Sequence, residues 1–236
     1  MPKFYAADAP FPKNSSFFPQ NRLEYKDCIG LEAPDRKYYA IAFDAASSAT
    51  SDASGTTLSW SHTTTGAARI LVVGVHITSD TVTVSGIKYN AVDLTKIRHD
   101  IQTGPNPDIR TELWYLLNPA TGANTIAITF SAAVTDKGGG AISLTGVLAL
   151  DANNGANALS SPATVSITTV ADNCWVVDAV MVNSDATFTV GAGQTSRYDA
   201  TNDNFAFQMG GSTEGPQTPA GAVTMSWTYT GTTLDN

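Results

Sequence analysis

Arg69-Ile-Leu-Val-Val-Gly-Val-His-Ile-Thr78 carries apolar side chains at both odd and even positions. The run is too short to span a membrane as a helix, and valine and isoleucine favour extended backbone, so it reads as a strand covered on both faces. Upstream, Leu58-Ser-Trp60-Ser-His62 alternates, with Leu58 and Trp60 inward and His62 closing that face. Downstream, residues 81–85, 87–89 and 93–97 form short strands, with Gly86 and Asn90 as turn residues. Residues 111–117 follow, stopped by Asn118-Pro119, and then residues 125–130. Gly138-Gly-Gly140 reads as a break before residues 141–147. Residues 164–168 and 223–229 alternate strictly, and Asn173–Val182 is a second candidate for a strand covered on both sides. Strands with turns between them and no helical period predict an all-β fold: an antiparallel β-sandwich, jelly-roll-like, over residues 39–236.

Composition points the same way. Thr (31) and Ser (19) together make up 50 of the 236 residues, only 14% are charged, and the Glu, Lys, Arg and Leu that fill the outer faces of helices are scarce. A chain of this length buries a full core without disulfide or metal staples. Cys28 and Cys174 are 146 positions apart and match no metal or disulfide framework. Both are expected as free thiols, Cys174 as a small core residue.

Residues 1–38 differ from the rest. The first 40 residues hold 8 of the 21 aromatics and 5 of the 11 prolines, with no strand or helix period. Proline blocks regular pairing and aromatic residues demand burial, so this stretch reads as an extended arm that lies along another surface. Phe4, Tyr5, Phe11, Phe17, Phe18 and Tyr25 are its candidate partner-binding residues. Those 40 residues carry a net charge of +1, whereas residues 41–236, with 7 basic and 16 acidic side chains, carry −9. An acidic body repels phosphate, which argues against nucleic acid and anionic membrane as partners. The start, Met-Pro-Lys-Phe-Tyr, has no basic-then-apolar leader, which fits cytoplasmic synthesis.

No catalytic constellation emerges. No serine sits in a Gly-x-Ser-x-Gly elbow, and Gly191-Ala-Gly193-Gln-Thr-Ser196 reads as a turn, not a dinucleotide loop. His62, His76 and His99 lack the paired spacing of a zinc site and are expected to be hydrogen-bonded or solvent-facing. Asp151-Ala-Asn-Asn-Gly155 and Asp199-Ala-Thr-Asn-Asp203 are oxygen-rich but do not match a calcium loop. Asp108, Glu112, Asp178 and Glu214 are conceivable members of a glycosidase pair, although surface solvation accounts for each more simply. Trp60, Trp114, Trp175 and Trp227 lie in strand patterns and read as core. No catalytic residue, metal or cofactor is expected.

Tyr89-Asn-Ala-Val-Asp-Leu-Thr-Lys96, Glu112-Leu-Trp-Tyr-Leu-Leu-Asn-Pro119, Gly191-Ala-Gly-Gln-Thr-Ser-Arg197, Gly211-Ser-Thr-Glu214 and Val223-Thr-Met-Ser-Trp227 occur in that order. Together they resemble a β-sandwich domain family of tailed-phage virion proteins and large bacterial surface proteins, over about residues 41–229. The resemblance implies a structural or adhesive role and carries no catalytic residues. The family pattern runs one closing strand further, which implies an unpaired sheet edge. The expected function is therefore a non-enzymatic capsid-decoration or tail-associated protein on the virion surface, anchored by its arm to a major capsid or tail protein and to copies of itself. The alternative is a carbohydrate-binding or adhesion module of a cell-surface protein, with a glycan as ligand.

Overall fold

Ile70–Ile77 forms β3, and all eight of its residues are buried. The computed structural model describes residues 40–103, 108–157, 161–202 and 207–233. The chain divides into two units, Met1–Tyr38 and Tyr39–Asn236, and all the strands of the described residues belong to the second. β3 is the middle of sheet A, in the order β1-β9-β3-β7-β6, where β1 is Ala42–Ser51, β6 Thr95–Gln102, β7 Ile109–Leu117 and β9 Lys137–Thr145. Sheet B has the order β2-β8-β4-β5, with β2 at Gly55–Thr64, β4 at Val84–Tyr89, β5 at Val92–Asp93 and β8 at Gly122–Val134. The chain crosses repeatedly between these sheets, staying in one sheet only from β4 to β5 and from β6 to β7, and the first strand of this sandwich pairs with its last, β1 with β9. This is jelly-roll winding. Leu71, Val73, Trp114, Ile126, Ile128 and Phe130 are among the side chains that fill the space between A and B.

A second, smaller sandwich stands where the strand pattern suggests only a continuation of the first. Sheet C is β10-β16-β13, with β10 at Ala163–Thr168, β13 at Ser184–Val190 and β16 at Ala222–Thr233. In sheet D, β15 (Gln208–Gln217) pairs on one side with β11 (Cys174–Val177) and β12 (Val180–Val182), and on the other with β14 (Thr195–Thr201). Alternate residues of β11 point opposite ways. Val176 packs with Val223 and Met225 of sheet C, whereas Trp175 and Val177 pack with Ile70, Val72 and Leu144 of sheet A. The layers therefore stack B-A-D-C, and A and D are each covered on both faces. The last strand, β16, is the middle of its sheet, and the edges there are β10 and β13.

Three local readings are corrected. Gly138-Gly-Gly140 is not a break but lies inside β9. Its missing side chains make room for large neighbours on both faces. A methyl at Gly138 would lie 2.6 Å from Met209 Sδ, at Gly139 2.6 Å from Trp60 Cη2, and at Gly140 2.1 Å from Tyr198 Cζ. Gly86 also lies within a strand, β4, beside an irregularity in its pairing with β8. Asn90 does turn the chain: Asn90 and Ala91 both adopt positive φ (49° and 65°), as a two-residue hairpin turn between β4 and β5 requires. Finally, Asn173–Val182 is two strands, β11 and β12, interrupted at Asp178 and Ala179.

Candidate functional site

The interruption at Asp178 positions the most heavily bonded side chain of the second sandwich. Oδ1 of Asp178 accepts the Ser212 amide at 2.7 Å and the Ser212 hydroxyl at 2.8 Å. Oδ2 accepts the indole N–H of Trp227 at 2.7 Å and Nε2 of Gln194 at 3.3 Å. Gln194 leaves the turn at 191–194, donates to Ser212 Oγ at 2.8 Å and accepts the Ser226 amide at 2.7 Å. One carboxylate thus ties together the β11–β12 junction, β15, β16 and the turn before β14. Burial pushes the Asp178 carboxyl above the ordinary aspartate value, with the bonds from Trp227 and Ser212 opposing it. Glu214 is raised as well, by its own desolvation and by the charge of Asp178.

Two of the four candidate carboxylates therefore share a neighbourhood, Asp178 and Glu214, and neither is a freely solvated surface group. Acid–base chemistry needs an oxygen open to substrate, and both oxygens of Asp178 are engaged by four donors. Glu112 is not a surface acid either, being 1% exposed between sheets A and B. It accepts Arg110 Nε at 2.8 Å, Lys96 Nζ at 2.7 Å, Trp114 Nε1 at 3.1 Å and the Val84 amide at 3.3 Å. Burial raises its carboxyl, but the Lys96, Arg110 and Val84 bonds outweigh that and hold it below the usual glutamate value. Asp108 is half-buried just before β7.

The histidines behave as side chains with structural partners or as surface groups. Ser143 Oγ–H donates to Asp44 at 2.8 Å, so its oxygen receives His62 Nε2–H at 3.1 Å. His62 Nδ1 is then the acceptor for Ser47 Oγ–H at 2.8 Å, and Ser47 in turn accepts Trp60 Nε1–H at 2.9 Å. The chain of bonds joins β1, β2 and β9. Burial lowers the His62 pKa to about 4 and the His76 pKa to about 3. His76 Nδ1 lies 3.2 Å from Thr111 Oγ1, and His99 is exposed.

Sheets A and D part company at one side. β14 lies over β1, β15 over β9 and β12 over β7, which leaves β6 beyond the edge of D. There β10 and residues 147–157 face sheet A across a partly open cavity of about 270 Å³. Its walls are mainly apolar, from Ile70, Val72 and Leu113 on one side and Val165, Trp175 and Met225 on the other. Arg98, paired with Asp100 at 2.6 Å, lies at its margin, where Asn153 and Asn157 bond to β6.

Cys174 is a free thiol but is not core: it is half-buried and donates to Asp151 at 3.3 Å. Trp114 and Trp227 are buried, and Trp60 and Trp175 are half-buried against core clusters. Asp199–Thr201 belongs to β14. Among the described residues no three His, Cys, Asp or Glu side chains converge to hold a metal ion, and no helix is long and apolar enough to cross a membrane. Phe4, Tyr5, Phe11, Phe17, Phe18, Tyr25 and Cys28 lie outside the described residues. Sequence reading missed Ser212 and Gln194 as partners of Asp178. The available signal was an acid inside Trp175-Val-Val-Asp-Ala-Val180, because a charge in a covered strand requires dedicated donors. No protein-family model matches the chain, and no curated protein or solved structure is similar to it.

Proposed function

We propose that the protein is a non-enzymatic structural component of a virus particle, a capsid-decoration or tail-associated protein. The stacked sandwiches form its exposed body, and residues 1–38 anchor it to a capsid or tail protein and to further copies. The observation that carries this reading is the engagement of Asp178. The most deeply placed carboxylate of the second sandwich is bonded to three side chains and a backbone amide, a device for rigidity rather than turnover. Glu112 and His62 are engaged in the same way in the first sandwich. The acidic, Ser/Thr-rich body suits a solvated outer layer, and the aromatic, proline-punctuated arm suits burial against a neighbour. The resemblance to phage virion domains supports the location, with synthesis in the host cytoplasm.

Deleting residues 1–38 tests it. The expected product is a folded, cooperatively melting body that no longer joins its particle or oligomer. A truncated chain that assembles as well as the full protein contradicts the anchor. Turnover of a glycan or peptide panel, lost on changing one Asp or Glu, contradicts the non-enzymatic role.

A further inference from the structure

Asp151-Ala-Asn-Asn-Gly155 has no part in that structural role, yet it holds the only Asn-Gly step in the chain. We propose that Asn154–Gly155 is a site of spontaneous self-modification, where the asparagine loses ammonia and the segment 151–157 then lets go of β10. The reaction needs a backbone nitrogen that reaches the preceding carboxamide, and a following residue without a side chain leaves that approach open. The Gly155 amide already donates to Asn154 Oδ1 at 2.9 Å, so a small turn of the carboxamide presents its carbon to the nitrogen. Asn154 is exposed, which admits hydroxide and water. Packing also favours glycine here. A methyl at Gly155 would lie 2.3 Å from Asp100 Oδ2 and 2.4 Å from Arg98 Nη2, so any side chain at 155 must displace that ion pair.

The Gly155 N–H gives its proton to hydroxide, and the nitrogen attacks Asn154 Cγ. A C–N bond closes a five-membered succinimide as the Cγ–Nδ2 bond breaks, and Nδ2 leaves with a proton as ammonia. One water then opens the ring, at one carbonyl to give aspartate and at the other to give isoaspartate. One water is consumed, one ammonia is released, and no electrons change hands. The consequence lies in what Nδ2 was holding. It donates to the Ser166 carbonyl of β10 at 2.6 Å, while Asn157 Nδ2 holds the Ile101 carbonyl of β6 at 2.6 Å. Either product places a carboxylate there, which accepts only, so two acceptors face each other. That arrangement is unfavourable without a donor between them. The segment therefore releases β10, the edge of sheet C, while its Asn157 bond to β6 persists.

The test ages the full chain, folded, in mildly alkaline buffer and reads it by peptide mass spectrometry. The peptide containing Asn154 should gain one mass unit and separate into aspartyl and isoaspartyl forms, faster at higher pH. Asn154→Gln, whose longer side chain must close a six-membered ring, should lose the conversion. In hydrogen exchange, the amides of residues 164–168 should exchange faster in aged than in fresh protein, whereas aged and fresh Asn154→Gln should match. Asn154→Asp should show the faster exchange without ageing. The proposal is overturned if Asn154 stays intact in the folded chain once a urea-unfolded sample has converted, or if conversion leaves the exchange of β10 unchanged.

Discussion

β3 and β15 hold equivalent places, each the inner strand of a sheet covered on both faces, and they are built from nearly opposite chemistry. β3 is Ile70-Leu-Val-Val-Gly-Val-His-Ile77, and alkyl burial at about 25 cal/mol per Å² holds it between its neighbours. β15 opens Gln208-Met-Gly-Gly-Ser-Thr213, six buried residues of which only Met209 is a large apolar one. Its glycines admit rings from other strands: a methyl at Gly210 would lie 2.9 Å from Trp227, and one at Gly211 2.2 Å from Tyr198. Its serine feeds the Asp178 brace. A doubly covered sheet can therefore be filled by its own side chains or by leaving room for those of its neighbours.

The two sandwiches also neutralise their buried carboxylates differently, and the largest expected effect tests that. Glu112 is surrounded by two cations, so Glu112→Gln strands charge in the interior and should cost about 3–5 kcal/mol in chemical denaturation. Loss of less than about 1 kcal/mol would mean that Lys96 and Arg110 find solvent without it. Next comes steric room: Gly140→Ala should cost about 1–3 kcal/mol or more by driving a methyl into the Tyr198 ring. Gly86→Ala, with nothing within 4 Å of the added carbon, should stay within about 0.5 kcal/mol. Equal effects would erase the distinction between glycines that admit rings and glycines that do not.

Asp178→Asn should cost less than Glu112→Gln, about 1–3 kcal/mol, because every donor around Asp178 is neutral. The pH dependence should also run in opposite directions. The folded value of Glu112 lies below its unfolded 4.5, so its contribution is present above pH 4.5 and fades as pH falls through the folded value. Asp178 is raised from 3.8, so its contribution is present below pH 3.8 and is lost as pH rises through the folded value. On acidification from pH 7 toward 4, the wild type should gain on Asp178→Asn. Below pH 4.5 its lead over Glu112→Gln should shrink. Parallel curves for the two variants would contradict the assignment. The smallest effect is a tautomer: at pH 6, ¹⁵N NMR should find His62 neutral with its proton on Nε2, and a proton on Nδ1 would break the Asp44–Ser143–His62–Ser47 sequence of bonds.

The first sandwich was legible because its signals are large side chains at strand periods. Ile70–Ile77, Thr111–Leu117 and the stop at Asn118-Pro119 all stand where alternation and turn chemistry put them. The second sandwich hid its organisation. β15 lacks an apolar period. The first sandwich had one exception of the same kind, the Gly138–Gly140 run of β9, which signals a break until Tyr198, Met209 and Trp60 are seen against it. Asp178 was visible as an acid in an apolar run, but Ser212 lies 34 residues further along the chain, and no local rule links them. The cavity depends on how the edge of one sheet overhangs another, which no single strand encodes.

Native-state hydrogen exchange at β3 and β15 tests most directly whether these differently built sandwiches form one rigid body. The amides of Val72–Val75 and of Gly210–Thr213 should share the same slow exchange, limited by global unfolding of residues 39–236. Exchange of Gly210–Thr213 through a separate, lower-energy opening while Val72–Val75 stay protected would show that the second sandwich opens on its own, and would contradict the account.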